Sequence, residues 1–180
     1  PLTTEFIKLL KEKYPAIDLV LVTNGSLLTE KIARELLVAG LTKLRISFLM
    51  EGINFETYKS TMVGGNHEKV IENIERLIRL KKELSSKTKI IIKNVRLSHY
   101  TDKDVYDYTE FWMQKGVDHV KVSNVQSRAG NLQCKFRDLN TNQCILYDTV
   151  FFIAWNGDAH PCCNDIHRQY QLGNHEKLTF

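Results

Sequence analysis

Residues 19–48 have the sequence LVLVTNGSLLTEKIARELLVAGLTKLRISF. The stretch begins with a short apolar run, Leu19 to Val22, of the kind that a parallel sheet buries on both faces. The turn signal Thr23-Asn24-Gly25 follows, and an amphipathic helix pattern comes after it. A second β-branched run, residues 44–48, completes a strand–helix–strand unit. Such a unit predicts a parallel sheet with a right-handed crossover.

The alternation of strands and helices continues on both sides of this stretch. A polar cap precedes each helical pattern, and a proline or glycine signal ends most of them. The expected caps are Thr4, Thr29, Asn66 and Thr101, and the further expected strands are residues 89–95 and 119–122. Residues 1–126 are therefore predicted to form an α/β domain built from four β/α units.

The composition and the residue pattern of the sequence change in residues 127–180. This part opens with a polar segment rich in glycine and asparagine, which is typical of a loop. Residues 149–155 then show a β pattern, Asn156-Gly157 is a strong hairpin signal, and Asp158 to Cys162 is the expected partner strand. We expect a small β-hairpin module here.

Composition and charge exclude several classes of function. The chain has 25 Lys and Arg against 21 Asp and Glu, and this net charge of +4 is scattered, which gives no sign of a nucleic acid or membrane partner. No apolar run approaches the roughly 20 residues of a membrane span. The first residues alternate apolar and charged side chains, unlike a secretory signal. We therefore expect a cytoplasmic protein.

The cysteines are clustered late in the chain, at Cys134, Cys144, Cys162 and Cys163. Because a cytosolic protein rarely uses disulfides, such a cluster indicates metal or redox chemistry, although free cysteine also packs as a small hydrophobe. Thiolates select zinc or iron–sulfur clusters. His160 and His167 flank the last two cysteines with Asp165 between them, so a Cys/His zinc site stays open as an alternative.

Two polar features stand where the first two strands end. Thr23-Asn24-Gly25 follows the first strand, and Ser47 lies at the matching end of the second. Ligands of parallel α/β folds bind at this edge, so these residues are binding candidates. The alternatives are a plain turn and a hydroxyl bonded to the backbone. Gly64-Gly65 lacks the full phosphate-loop pattern, which weakens a nucleotide-binding reading. No residue is identified as catalytic.

Taken in order, these features resemble a radical S-adenosylmethionine (SAM) enzyme with a C-terminal SPASM-type auxiliary-cluster domain. Residues 22–48 are similar to the family's TNG strand, helix and serine-bearing strand, and residues 56–78 are similar to the stretch that follows. Twelve residues separate Cys144 from Gly157 and four separate Gly157 from Cys162, which resembles the opening of the SPASM domain. The LGN tripeptide at residues 172–174 is also typical of that domain.

The resemblance implies a fold, a set of site residues and two cofactors. The fold would be a partial (β/α) TIM-like barrel, with the later four units of a six-stranded barrel in residues 1–126 and the start of the SPASM domain in residues 127–180. Thr23, Asn24, Gly25 and Ser47 would lie near SAM. Cys144 and Cys162 would bind an auxiliary four-iron four-sulfur cluster, with Cys163 or Cys134 as a further ligand.

The resemblance also implies an activity. The parent enzyme would reductively cleave SAM, with electrons from a donor, and use the 5′-deoxyadenosyl radical to modify a peptide, a sugar-related compound or a small molecule. The family's CxxxCxxC cluster loop does not occur in the 180 residues, and Pro1 to Phe6 resembles the tail of the family's GGEP segment. We therefore expect an N-terminally truncated chain that is inactive alone. The alternative is a non-catalytic α/β binding or scaffold protein with a zinc- or cysteine-stabilised hairpin.

Overall fold

A computed structural model describes residues 2–50, 66–125, 150–165 and 167–174. The chain divides into two compact units, Pro1–Asn124 and Val125–Phe180. The described helices are α1 (Leu2–Lys13), α2 (Glu30–Val38), α3 (His67–Glu83) and α4 (Asp102–Lys115). The described strands are β1 (Val20–Thr23), β2 (Lys43–Ser47), β3 (Lys89–Arg96), β4 (His119–Asn124), β5 (Phe152–Ile153), β6 (Asp158–His160) and β7 (Gly173–Asn174).

The first unit is built on a parallel four-stranded sheet. Its strands lie in the order β1-β2-β3-β4, and a helix separates each strand from the next along the chain. All three neighbouring pairs are parallel. The predicted α/β class with a parallel sheet is confirmed. None of the helices in the described part of the chain combines the length and apolar character that crossing a membrane requires.

Three of the four predicted helix caps are present. The side chains of Thr29 and Asn66 accept backbone N–H groups at the starts of α2 and α3. Thr101 forms a capping box with Asp104 at the start of α4. The prediction for Thr4 was wrong: α1 begins at Leu2, so Thr4 lies inside the helix, where it is buried with its hydroxyl facing α2.

The core of this unit lies against one face of the sheet. Trp112 and Tyr108 of α4 are fully buried, and the Tyr108 hydroxyl donates a hydrogen bond to the Phe48 carbonyl at 2.6 Å. The rings of Phe48 and Trp112 meet edge to face with centroids 5.1 Å apart. The strand residues that complete this core are Leu44, Ile46, Ile90 and Ile92, all with no exposed surface. Helix α4 thereby holds the end of β2 in place.

The opposite face of the sheet, which we call the open face, carries the residues that alternate with these core positions. In β1 the exposed fractions of Val20 and Val22 are 40% and 58%, whereas Leu21 packs against the core. The expectation that residues 19–22 are buried on both faces was therefore wrong. The apolar core lies between the helices and the other face of the sheet. Among the described residues, no apolar core of this kind covers the open face.

The second unit contains a small antiparallel sheet with the order β5-β6-β7. Gly157 has φ 83° in the connection between β5 and β6, which confirms the predicted turn. Among the described residues, the strand expected over residues 149–155 is shorter than predicted: β5 spans Phe152–Ile153, whose exposed fractions are 38% and 53%. β7 was not expected as a strand; it pairs with β6 and contains residues of the LGN tripeptide.

Candidate functional site

The turn after β1 is held by its own polar side chains. Thr23 Oγ1 accepts the backbone N–H of Gly25 at 3.2 Å. Asn24 Oδ1 accepts both the backbone N–H and the hydroxyl of Ser26, at 3.1 and 2.8 Å. Asn24 is exposed, so its amide nitrogen remains available to a ligand. The predicted turn therefore presents a fixed polar surface beyond the end of β1.

Gly25 is required in this turn for two reasons. Its φ of 79° lies in the left-handed region, which a residue with a Cβ adopts at a cost. A Cβ at this position would also lie 3.0 Å from Val70 Cγ1 and 3.3 Å from Ile46 Cγ2. The turn can approach α3 and β2 this closely because residue 25 has no side chain.

Ser47 lies at the same edge of the sheet as this turn. Thr23, the last residue of β1, is in register with Ile46, the residue before Ser47. Ser47 is exposed on the open face, while its neighbours Ile46 and Phe48 are buried in the core. The parallel sheet thus brings the four residues predicted to bind SAM, Thr23, Asn24, Gly25 and Ser47, to one edge.

A buried side chain of helix α3, Asn73, hydrogen-bonds to the backbone of this turn, and we call this contact the clamp. Asn73 is buried, with 2% of its surface exposed, and its amide nitrogen donates to the carbonyl oxygens of Gly25 at 2.9 Å and Ser26 at 3.3 Å. The Arg76 guanidinium donates to Asn73 Oδ1 at 3.1 Å and so orients the amide. The Gly25 carbonyl oxygen also accepts the backbone N–H of Leu28 at 3.3 Å, so Asn73 adds a second and shorter hydrogen bond to it.

The clamp was missed by the sequence reasoning, although a signal for it exists. Asn73 lies in the inward stripe of α3, between the buried residues Val70 and Leu77 at helical spacing. A polar side chain in such a stripe needs a buried partner, and here that partner is the backbone of the turn.

The predicted cluster ligands are divided between described and undescribed parts of the chain. Cys134 and Cys144 lie outside the described residues. Cys162 is half-buried and its Sγ accepts the backbone N–H of Asn164 at 3.3 Å, whereas Cys163 is exposed. Both described cysteines are free thiols. Hydrogen bonds to the sulfurs tune iron–sulfur clusters, so the contact of the Asn164 N–H with Cys162 Sγ fits a cluster ligand.

His160 lies close to these cysteines in the chain, and neither nitrogen of its ring has a hydrogen-bond partner among the described residues. Its ring is buried, and Nδ1 is 3.6 Å from Asp165 Oδ2, too far for a hydrogen bond. Asp165 accepts the backbone N–H groups of Tyr170 and Gln169, which lower the pKa of its carboxyl group. In the described residues, no three His, Cys, Asp or Glu side chains converge as a metal site would require. This leaves the Cys/His zinc alternative untested, since two of the four cysteines lie outside the described residues.

Comparison with known protein families finds a match in the last part of the chain. Residues 144–180 match the SPASM family, an iron–sulfur cluster-binding domain. The match begins at Cys144 and includes Cys162, Cys163 and the LGN tripeptide.

Among curated proteins, the chain is similar to GTP 3',8-cyclases. It is 31% identical to the enzyme of Alkaliphilus oremlandii over 63% of this chain, and 36% identical to that of Aliarcobacter butzleri over 62% of this chain. The matches cover 33% and 32% of those proteins, so the chain spans about a third of the length of the relatives it matches.

One solved structure with a comparable fold is that of the radical SAM methyltransferase TsrM from Kitasatospora setae. It aligns over 67% of this chain and 24% of that chain, with 20% identity and a TM-score of 0.46. The family match and the curated relatives, which are radical SAM enzymes, confirm the predicted resemblance to radical SAM/SPASM proteins.

Proposed function

We propose that this chain is part of an enzyme that reductively cleaves SAM. The chain is a relative of radical SAM enzymes and carries a SPASM match. The resulting 5′-deoxyadenosyl radical would modify a peptide, a sugar-related compound or another small molecule. The observation that carries the proposal is the match of residues 144–180 to an iron–sulfur cluster-binding domain in a chain similar to radical SAM enzymes. An external electron donor is the other expected partner, and the cytoplasm is the proposed location.

The proposed roles of the residues follow from their positions. Thr23, Asn24, Gly25 and Ser47 would bind SAM at the carboxyl edge of the sheet. Cys144 and Cys162, with Cys163 as a candidate, would hold an auxiliary four-iron four-sulfur cluster, which supplies single-electron chemistry when bound. We also propose that the sheet is part of a (β/α) barrel, since its parallel strands follow chain order and the core covers one face.

The direct test compares cofactor content and SAM cleavage in the intact protein and in the 180-residue chain. After anaerobic reconstitution both should contain iron and acid-labile sulfide. With SAM and dithionite, the intact protein should form 5′-deoxyadenosine, whereas the 180-residue chain alone should form none because it has no CxxxCxxC motif. Bound zinc without sulfide, and no 5′-deoxyadenosine from the intact protein, would instead support the non-catalytic binding or scaffold protein.

Asn73→Asp should weaken SAM binding by the intact protein at least tenfold. The change keeps the acceptor that Arg76 uses but removes the N–H donors and places a carboxylate against the carbonyl oxygens of Gly25 and Ser26. We expect a loss of about 1–3 kcal/mol in the free energy of unfolding. Isothermal titration with SAM well below the unfolding temperature measures the affinity.

The matched control is Glu72→Gln, which changes one charge at an exposed position of the same helix and should leave SAM affinity unchanged. If Asn73→Asp lowered stability but left the dissociation constant for SAM at its original value, Asn73 would have a purely structural role.

A further inference from the structure

The open face carries a row of cations near the candidate SAM residues. In the sheet register Ser47 is the partner of Lys93, and Lys93 is the partner of Lys121. Arg45 lies two residues before Ser47 on the same strand and therefore on the same face. Neighbouring strands are about 4.8 Å apart, so Lys93 and Lys121 are adjacent. We call Arg45, Lys93 and Lys121 the cation row.

Exposure agrees with this placement. Lys121 is exposed, and Lys93 and Arg45 are half-buried. The residues that alternate with them, Ile46 and Ile92, have no exposed surface and belong to the core on the other side. The charged groups of the row are thus directed away from the helices.

The charges of the row are not matched by acidic groups in the way that other cations of this sheet are. At the amino ends of the strands, Lys43 Nζ lies 2.7 Å from Asp18 Oδ2, and Lys89 Nζ lies 3.9 Å from Asp118 Oδ1. Within the described ranges, no carboxylate forms an ion pair with any of the three cations of the row. Like charges on adjacent strands are destabilising, so folding alone does not account for the pair Lys93 and Lys121.

We propose that the cation row binds a phosphate group of the substrate; the proposal rests on the function proposed above. A phosphate ester carries a charge of about −1.5 to −2 near pH 7, which complements several adjacent cations, whereas a single carboxylate leaves most of their charge unmatched. The row lies beside Ser47 and at the same edge as the Thr23–Gly25 turn. A phosphorylated small molecule anchored there would place its organic part next to SAM.

The test uses inorganic pyrophosphate as the probe on the intact protein. Isothermal titration should show that the double variant Lys93→Gln/Lys121→Gln binds pyrophosphate at least tenfold more weakly than the unchanged protein. The matched control, Lys31→Gln/Lys69→Gln, removes the same charge from exposed positions on α2 and α3 and should bind as the unchanged protein does. Pyrophosphate should raise the melting temperature of the unchanged and control proteins but not that of the double variant.

Each outcome decides the proposal. Failure of the unchanged protein to bind pyrophosphate, or an equal loss in both double variants, would overturn it and indicate an adventitious ion only. Competition between SAM and pyrophosphate would also overturn it, because the row would then hold the carboxylate of SAM. The removal of adjacent like charges should not unfold the strands, and denaturant unfolding of the double variant checks this.

Failure of the phosphate site is distinguishable from failure of the proposed function. Iron, acid-labile sulfide and 5′-deoxyadenosine are measured without pyrophosphate, so they report on the radical SAM assignment alone. Unchanged iron content in the double variant, together with lost pyrophosphate binding, would support the phosphate site independently.

Discussion

Gly25→Ala is expected to remove measurable SAM binding from the intact protein and to lower its free energy of unfolding by about 2–5 kcal/mol. The left-handed backbone at this residue and the 3.0 Å approach to Val70 Cγ1 both oppose a side chain. Because the turn packs closely against buried side chains of α3 and β2, the turn must move to make room for the added methyl group. Its movement would displace Thr23 and Asn24 from the edge.

Gly40→Ala is the matched control for this prediction. Gly40 also has a positive φ, 84°, but a Cβ there meets Lys11 Cγ at 3.5 Å, an ordinary contact with a flexible side chain. We expect a loss of about 1–2 kcal/mol from the backbone conformation alone, with SAM affinity unchanged. Chemical denaturation and SAM titration of both variants separate the two effects. Equal SAM affinity in both variants would show that the turn is not part of the proposed SAM site.

Cys162→Ala is expected to lower iron and acid-labile sulfide by about four atoms each per chain after anaerobic reconstitution of the intact protein. Cys162 Sγ already accepts the Asn164 N–H, and hydrogen bonds of this kind are found at the sulfurs of iron–sulfur clusters. Cys144→Ala should have the same effect, since the SPASM match begins at that residue. Iron and sulfide assays with electron paramagnetic resonance measure the loss.

The neighbouring thiol provides an internal comparison. Cys163→Ala should also reduce cluster content if Cys163 is a ligand, and it should leave the content unchanged if Cys162 is the only ligand of these two neighbouring cysteines. Tyr170→Phe, at an exposed position of the same unit, controls for general disturbance and should retain full iron content. Full iron content in Cys162→Ala would show that this cysteine is not a ligand.

Much of the fold could be predicted because its signals act over short distances. Thr29, Asn66 and Thr101 each bond to a backbone N–H three residues ahead, so the caps are visible in the sequence. The turn at Asn156-Gly157 depends in the same way on neighbouring residues. Short two-residue strands such as β7 give no periodic signal, and this explains why the third strand of the second unit was missed.

The candidate SAM-binding residues also combine features that local sequence predicts with contacts between residues distant in sequence. The sequence alone indicated a turn at Thr23-Asn24-Gly25 and a serine at the end of the next strand, since both follow from local patterns. The clamp on that turn depends on Asn73, which is 48 residues from Gly25 in sequence. Residues this far apart meet only after α3 packs against the sheet, so no local pattern identifies the pair.

The amino-acid sequence by itself determined the order of strands and helices in the first unit, the caps at Thr29, Asn66 and Thr101, and the turns, because each depends on residues close in the chain. It also fixes the spacing of Cys144, Gly157 and Cys162. Tertiary structure decided which face of the sheet is open and which side chains share it. The cation row exists because strand register sets Lys93 beside Lys121, and register follows from packing of the opposite face against the helices.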